Sequence, residues 1–203
     1  MDTSYWNGKY DTAEFIYTKT ENRFVVEYCQ DLKGKTAIDL AGGEGRNSVW
    51  LAKKGWQVEN IDFSQVALDK YLQFARDEGV QDNCSATCAD ALTFVPKTSP
   101  VDLAVIAYLQ IPENDLALAI QRLSSHVAPA GHLFGVWHSR ENLNGGFGGP
   151  RNPDVLPSIE TIRSALEPTG LKIDVLENRD GQIQTKEGLK PSVTLVLLAS
   201  RPE

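Results

Sequence analysis

Three carboxylates and a pair of glycines carry the chemistry that is easiest to read. Asp39 lies inside the apolar run Thr36 to Leu40, and Ala41-Gly42-Gly43-Glu44-Gly45-Arg46 follows at once. A strand that ends in a glycine-rich turn and opens a helix sets backbone N–H groups and a close main chain beside a ligand at the carboxyl edge of a sheet. Gly43 and Gly45 stand where a side chain would block that approach. A bare carboxylate at Asp39 is costly unless neighbours or a ligand donate hydrogen bonds to it. Asp62 ends the second strand about 20 residues after the glycines, where ribose hydroxyls need an acceptor. Asp90 ends a third run, within reach of an adenine ring placed beyond the second. The glycine pair alone also describes a plain structural turn; the acids at the ends of successive strands favour a nucleoside-type ligand.

The elements that must position these residues alternate between short β-type runs and helical stretches, the pattern of a mainly parallel sheet covered on both faces. Thr36 to Leu40 is the first strand, Asn47 to Lys54 a helix closed by Gly55, and Val58 to Ile61 the second strand. Ser64 caps a helix with Ala67, Leu68, Tyr71, Leu72 and Ala75 on one face. Ala86 to Ala89 and Val101 to Ala107 read as strands, followed by a helix after Pro112 that Pro129-Ala130-Gly131 breaks. His132 to Trp137 is the fifth strand. A Gly- and Pro-rich loop, Asn142 to Pro157, leads to a helix from Ser158 to about Glu167. Leu171 to Leu176 and Ser192 to Ser200 form a final pair, joined by a polar connection with Gly181 and Gly188 and free to pair antiparallel. The expected fold is a doubly wound α/β, seven-stranded sheet, six strands parallel and the last antiparallel, in one domain spanning residues 1–203.

Composition narrows the partners. The formal charge of −7, from 27 acidic against 20 basic side chains that are scattered along the chain, argues against nucleic acid as a partner. Val193 to Ala199 is far shorter than the roughly 20 residues of a membrane span, so no membrane partner is expected. Met1-Asp2-Thr3-Ser4-Tyr5 has no basic flank or apolar run of a secretory signal, which points to the cytoplasm. Cys29, Cys84 and Cys88 suit buried thiols; Cys84 and Cys88 lack two further ligands for zinc, so no metal is expected. The chain is expected to be a monomer or weak homodimer acting on a small-molecule substrate.

Ala37-Ile38-Asp39-Leu40-Ala41-Gly42-Gly43-Glu44-Gly45-Arg46-Asn47 resembles motif I of class I S-adenosylmethionine-dependent methyltransferases, and Asn60-Ile61-Asp62-Phe63-Ser64 resembles the segment that follows it. The run Gly-Glu-Gly-Arg-Asn, Trp50-Leu51-Ala52 and the Asp62-Phe63-Ser64 step are most similar to the small tellurite-resistance and thiopurine methyltransferase group. Tyr5-Trp6, Tyr10, Tyr17 and Asn22-x-Phe24 resemble that group's opening segment, a short helix and loop over the cofactor, here residues 1–30. Ala41 replaces the first glycine of the usual turn, and Thr18 and Glu21 stand where the group shows Gly and Pro. The resemblance implies the Rossmann-like methyltransferase fold and S-adenosylmethionine as cofactor. Asp39 would then support the turn and the methionine amino group, with Gly43 and Gly45 against the methionine portion. Asp62 would hold the ribose, Phe63 pack on the adenine, and Asp90 with Ala91 meet the adenine edge. Ala107 and Tyr108 would end the fourth strand beside the sulfonium. Tyr17 and Arg46 join the cofactor set, although Arg46 also reads as an exposed residue of the first helical turn, where a cation opposes the dipole.

Methyl transfer from a sulfonium is an in-line displacement, for which a thiolate needs mainly proximity and orientation. An oxygen or nitrogen nucleophile benefits from a base, and His138, at the end of the fifth strand, is the candidate. His138 also reads as a structural histidine, and the Tyr108 ring as core packing instead of a lining of the methyl channel. Two alternatives stand beside the transferase. Gly43-x-Gly45-x-x-Ser48 partly imitates the fingerprint of a nicotinamide-dependent oxidoreductase, against which Ser48, Asp39 and the final strand pair argue. A non-catalytic module that binds S-adenosylmethionine is the other.

Overall fold

The computed structural model describes residues 3–12 and 14–203; Met1, Asp2 and Ala13 of the expected lid segment lie outside the described residues. The strands β1 (Thr36–Leu40), β2 (Gln57–Asp62), β3 (Cys84–Cys88), β4 (Val101–Ala107), β5 (Val127–His138), β6 (Lys172–Thr185) and β7 (Gly188–Ser200) form one seven-stranded sheet in the order β3-β2-β1-β4-β5-β7-β6. β1 to β5 pair in parallel, and β7 is antiparallel to both β5 and β6. Strand order reverses between β1 and β4, which opens the ligand crevice of such sheets at their carboxyl ends.

Among the described residues six α-helices accompany the sheet: α1 (Thr3–Tyr10), α2 (Arg23–Cys29), α3 (Arg46–Lys53), α4 (Gln65–Asp77), α5 (Glu113–Ser124) and α6 (Ile159–Leu166). Alternation along β1 divides the core. Ile38 and Leu40 cluster with Ile106 of β4 and with Leu116, Ile120 and Ile162 of the α5–α6 layer. Ala37 clusters with Val105 of β4, Phe134 of β5, and Val25 and Leu51 of the α2–α3 layer. Burial on both faces is why these strands read as nearly unbroken apolar runs. Ser64 caps α4 by accepting from the Ala67 amide, and Ser158 with Thr161 forms a capping box on α6.

The sheet departs from the sequence-based expectation on its far side. Pro129-Ala130-Gly131 does not break α5, which has already ended at Ser124; it lies inside β5, where pairing with β4 jumps from Val101↔Val127 to Leu103↔His132. The missing proline donor is tolerated because this stretch bulges out of the ladder. The polar connection expected between the last strands is itself strand: β6 and β7 continue as a ribbon until Lys186-Glu187 turns the chain. An antiparallel pair satisfies its backbone internally and needs only one apolar face, so polar residues persist along it. β5 meets β7 at His138↔Thr194, and the remaining pairs to Thr185↔Gly188 project beyond the carboxyl edge.

Candidate active site

The glycine turn follows β1 with Ala41, Gly43 and Gly45 all at positive φ, 57°, 56° and 81°. A Cβ on Gly45 would collide with the Tyr71 ring, and one on Gly43 would lie 2.8 Å from the Tyr10 hydroxyl. The turn is therefore clamped by α4 from below and α1 from above, and these two glycines are required by space as well as by conformation.

Two buried acids flank it. Asp62 accepts from the Gly43 amide at 3.0 Å and from the Ser64 amide at 2.9 Å, so the end of β2 pins the turn of β1. Asp39 is fully buried; Ser48 Oγ donates to its Oδ2 at 2.7 Å, and its Oδ1 has no donor among the described residues. Burial, opposed by the Ser48 bond and the Arg46 charge, pushes the Asp39 carboxyl up from 3.8 to about 6. Burial also raises Asp62. Asn60, opposite Asp39 in the β1–β2 register, donates to the Gly43 carbonyl at 3.1 Å and leaves its Oδ1 without a donor.

The other cofactor candidates are distributed around this centre. Arg46 opens α3, half-buried and without a hydrogen bond or ion pair among the described residues. Phe63 is half-buried directly after Asp62, and Ala91 and Ala107 are half-buried. Asp90 is exposed and caps its own turn, accepting from the Leu92 amide at 2.8 Å. Tyr17 comes to the turn by its backbone: its ring is 48% exposed and its hydroxyl takes Lys9 Nζ at 3.1 Å.

Sequence reasoning named Tyr10, Asn22 and Ser64 but missed the partners Glu44, Asn7 and Asn47 that hold the opening segment in place. Glu44 is buried within the turn and accepts from the amides of Ile16 and Tyr17 and from Lys70 Nζ. Ser64 Oγ donates to Asn7 Oδ1 at 2.6 Å, and the Asn22 amide N–H reaches Asn47 Oδ1 at 2.9 Å. Tyr10 is buried against Gly43 and faces Asp62, Tyr17 and Glu44; desolvation and those groups keep its hydroxyl protonated. The available signal was a polar residue at each inward position, Glu44 in a glycine turn and Asn60 in a buried strand.

Tyr108 and His138 come together at the ends of β4 and β5, ring centroids 4.9 Å apart. Tyr108 sits at φ 58°, an uncommon conformation for an aromatic residue, and its hydroxyl accepts from Asn22 Nδ2 at 3.3 Å. The His138 amide donates to Gln110 Oε1 at 2.8 Å, and its ring lies under Gly149, where a Cβ would fall 2.5 Å from Cγ. Nδ1 is buried without a partner among the described residues, and desolvation holds the imidazole below its ordinary pKa. The site thus offers a neutral imidazole next to a phenol, a short distance across the sheet from two buried carboxylates.

Residues 37–131 match the family of the methyltransferase domain. The curated tRNA 5-carboxymethoxyuridine methyltransferase of Escherichia coli (strain K12) is 31% identical over 111 residues, 52% of this chain and 41% of that protein. The match therefore spans about two fifths of the relative's length. Among solved structures, TehB from Haemophilus influenzae superposes with a TM-score of 0.71 at 15% identity, over 98% of this chain and 66% of that one. An S-adenosylmethionine-dependent methyltransferase from Clostridium acetobutylicum ATCC 824 gives 0.68 at 17% identity, over 98% and 99%.

The tRNA-modifying relative corrects one expectation. Net charge does not exclude a nucleic acid partner, because it sums over the whole surface while binding depends on local charge. The opening segment carries Lys9, Lys19 and Arg23, each over an aromatic ring. No helix among the described residues is long and apolar enough to cross a membrane. Sheet order and the glycine turn give this chain the Rossmann-like fold of class I S-adenosylmethionine-dependent methyltransferases, and residues 37–131 within it match the methyltransferase domain.

Proposed function

We propose that this chain transfers a methyl group from S-adenosylmethionine to a heteroatom of a small-molecule or RNA acceptor, and that within its family it stands nearest the tellurite-resistance and thiopurine group. The observation that carries the reading is the pairing of Asp39 and Asp62 around Gly43, one acid with a free buried oxygen and the other fixing the turn. These residues fit the cofactor: Asp39 suits an ammonium group, Gly43 and Gly45 leave room for a ligand against the backbone, and Asp62 suits ribose hydroxyls. Phe63, Ala91, Asp90 and Ala107 complete the nucleoside side, with Arg46 and Tyr17 at the methionine side. When bound, S-adenosylmethionine supplies a methyl group activated by positive sulfur.

The chain's own contribution is placement and proton handling. Tyr108 is fixed by Asn22, and Gln110 fixes the His138 backbone, so both rings are held before an acceptor arrives. His138, neutral because it is desolvated, takes the proton of an oxygen or nitrogen nucleophile; a thiolate acceptor needs no such step. Residues 5–24 exclude water from the site. The RNA arm of the proposal is supported by the curated relative, a methyltransferase named for a modified uridine of tRNA. Calorimetry with S-adenosylhomocysteine and with NADH tests the cofactor: tight NADH binding without S-adenosylhomocysteine binding would sink the proposal. A screen of thiol, halide, chalcogen, amine and RNA acceptors, followed by S-adenosylhomocysteine release, then identifies the nucleophile.

A further inference from the structure

The ribbon that β6 and β7 extend past the carboxyl edge carries a feature that neither fold nor cofactor accounts for. Gly181 interrupts β6 opposite Ser192. Glycine weakens a strand interior and marks a place where another group comes close. Here that group is Arg23: its guanidinium fills the space a Cβ on Gly181 would take, and Ser192 Oγ lies 3.6 Å from the same point.

Arg23 is the first residue of α2, with its guanidinium 4.4 Å from the centroid of the Phe24 ring. Arg179 approaches the same ring at 5.6 Å, so two cations share one aromatic. Their surroundings differ. Arg179 is engaged by Glu27, Glu177 and the Tyr28 hydroxyl. Arg23 has no ion pair or hydrogen bond among the described residues, and neither does the Ser192 hydroxyl. A surface guanidinium free of acids is ordinary when it waves in solvent; this one is stacked on a ring and seated on a glycine. Its place is also specific. The preceding residue, Asn22, donates to the Tyr108 hydroxyl, and Tyr108 adjoins His138.

We infer that the methyl acceptor carries an anionic group, a carboxylate or a phosphate, and that Arg23 with Ser192 binds it while the nucleophile faces His138. The inference rests on the methyltransferase reading and adds the class of acceptor to it. A planar fork of donors matches two oxygens of such a group at once, and stacking on Phe24 spends the side-chain freedom before the ligand binds. Gly181 then has a reason: it seats the fork.

The test uses the whole chain, its Arg23→Gln variant and its Ser192→Ala variant. Binding of inorganic phosphate, benzoate and a short RNA stem-loop is measured by calorimetry with and without S-adenosylhomocysteine. Loss of a charge-assisted pair predicts at least about a tenfold fall in affinity for one of these probes in Arg23→Gln, and a smaller fall in Ser192→Ala. If the anion belongs to a small molecule, phosphate or benzoate carries the fall. If it belongs to RNA, the stem-loop carries it and the salt dependence loses about one phosphate contact. Equal binding of all three probes to variant and parent overturns the inference, as does failure of all three to bind the parent. S-adenosylhomocysteine affinity, measured on the same samples, reports separately on the cofactor reading, since Arg23 is not part of the glycine turn.

Discussion

At the β1–β2 end of the carboxyl edge, polar groups are buried and tied to backbone: Asp62 to Gly43 and Ser64, Asn60 to Gly43, Glu44 to Ile16 and Tyr17. At the β5–β6 end buried Asn142 ties the glycine-rich loop to the Val193 amide, but the projecting ribbon beyond it carries exposed or half-buried polar side chains, with Arg23 and Ser192 unpaired among the described residues. On the proposed function, the first region would hold the cofactor through main-chain geometry, which tolerates little substitution, and the second would meet the acceptor through side chains that can change without disturbing the sheet. Such a division would let one fold keep a cofactor and exchange acceptors.

The sharpest break in the comparison is Gly43→Val. A branched side chain at φ 56° is strained, and its Cβ meets the Tyr10 hydroxyl at 2.8 Å. Binding of S-adenosylhomocysteine should fall below detection by calorimetry while circular dichroism retains the α/β spectrum. Retained binding would place the ligand elsewhere. Asp62→Ala comes next. It frees the Gly43 and Ser64 amides and removes the proposed ribose acceptor, so affinity should drop by about tenfold to several hundredfold, each charge-assisted bond contributing roughly 1.5 to 3 kcal/mol. Unchanged affinity in a folded variant refutes the assignment.

A pH experiment separates the buried acid from its surroundings. The Asp39 carboxyl stands at about 6 in the fold against an ordinary value of 3.8, so the native state holds the proton more tightly than the unfolded chain. Its contribution to stability is therefore intact below pH 3.8 and is lost as pH rises through about 6. The gap between those two values corresponds to as much as about 3 kcal/mol at neutral pH. Asp39→Asn should thus raise the midpoint of thermal unfolding at pH 7.5 and remove the pH 4 to 6 segment of the stability profile. An acceptor for the new amide lies on the next strand: Asn60, opposite Asp39 in the β1–β2 register, has an Oδ1 without a donor among the described residues. Cofactor behaves oppositely: an ammonium group favours the ionised acid, so affinity of the parent for S-adenosylhomocysteine should increase from pH 5 to 7, and the variant should bind weakly without that trend. A variant less stable than the parent at pH 7.5 would contradict the desolvation argument.

How much of this was legible follows the same division. β1 and the glycine turn announce themselves because burial on both faces gives β1 an apolar run and positive φ favours glycine at 43 and 45, so Asp39 stands out by contrast; β2 shows only Val58 and Ile61 among polar residues, and Asp62 is read from its spacing to the glycines. The β6–β7 ribbon reads as a connection, since half-buried strands on a projecting hairpin keep polar residues and lose the apolar signal. Pro129 reads as a helix breaker because a bulge in β5 depends on pairing with β4, which no local pattern records. Tyr17 and Tyr10 look equivalent in sequence; only the fold shows that Tyr10 meets Gly43 while the Tyr17 ring turns outward. Glu44 passes unnoticed because its partners are backbone amides 27 and 28 residues away.

The smallest expected effect concerns the opening segment, where the two regions meet. Ile16 and Tyr17 amides donate to Glu44, Asn7 receives Ser64, and Phe15 packs edge-on to Phe74 with centroids 5.3 Å apart. These contacts hold the segment on the turn, yet α1 buries only Tyr10, and Tyr5 remains 60% exposed. Few buried apolar contacts place such a segment at the low end of local stability. Bound cofactor adds surface against Tyr10 and should shift the balance toward the closed arrangement. Hydrogen exchange at Ile16 and Tyr17 should therefore slow by a few-fold to about tenfold on addition of S-adenosylhomocysteine, with no change at Ile38 in β1. In Glu44→Gln the same amides lose a charged acceptor, so their exchange should be faster without ligand while the ligand-induced slowing survives. Protection that is already high in the free protein and does not move on binding would make residues 5–24 a fixed part of the fold.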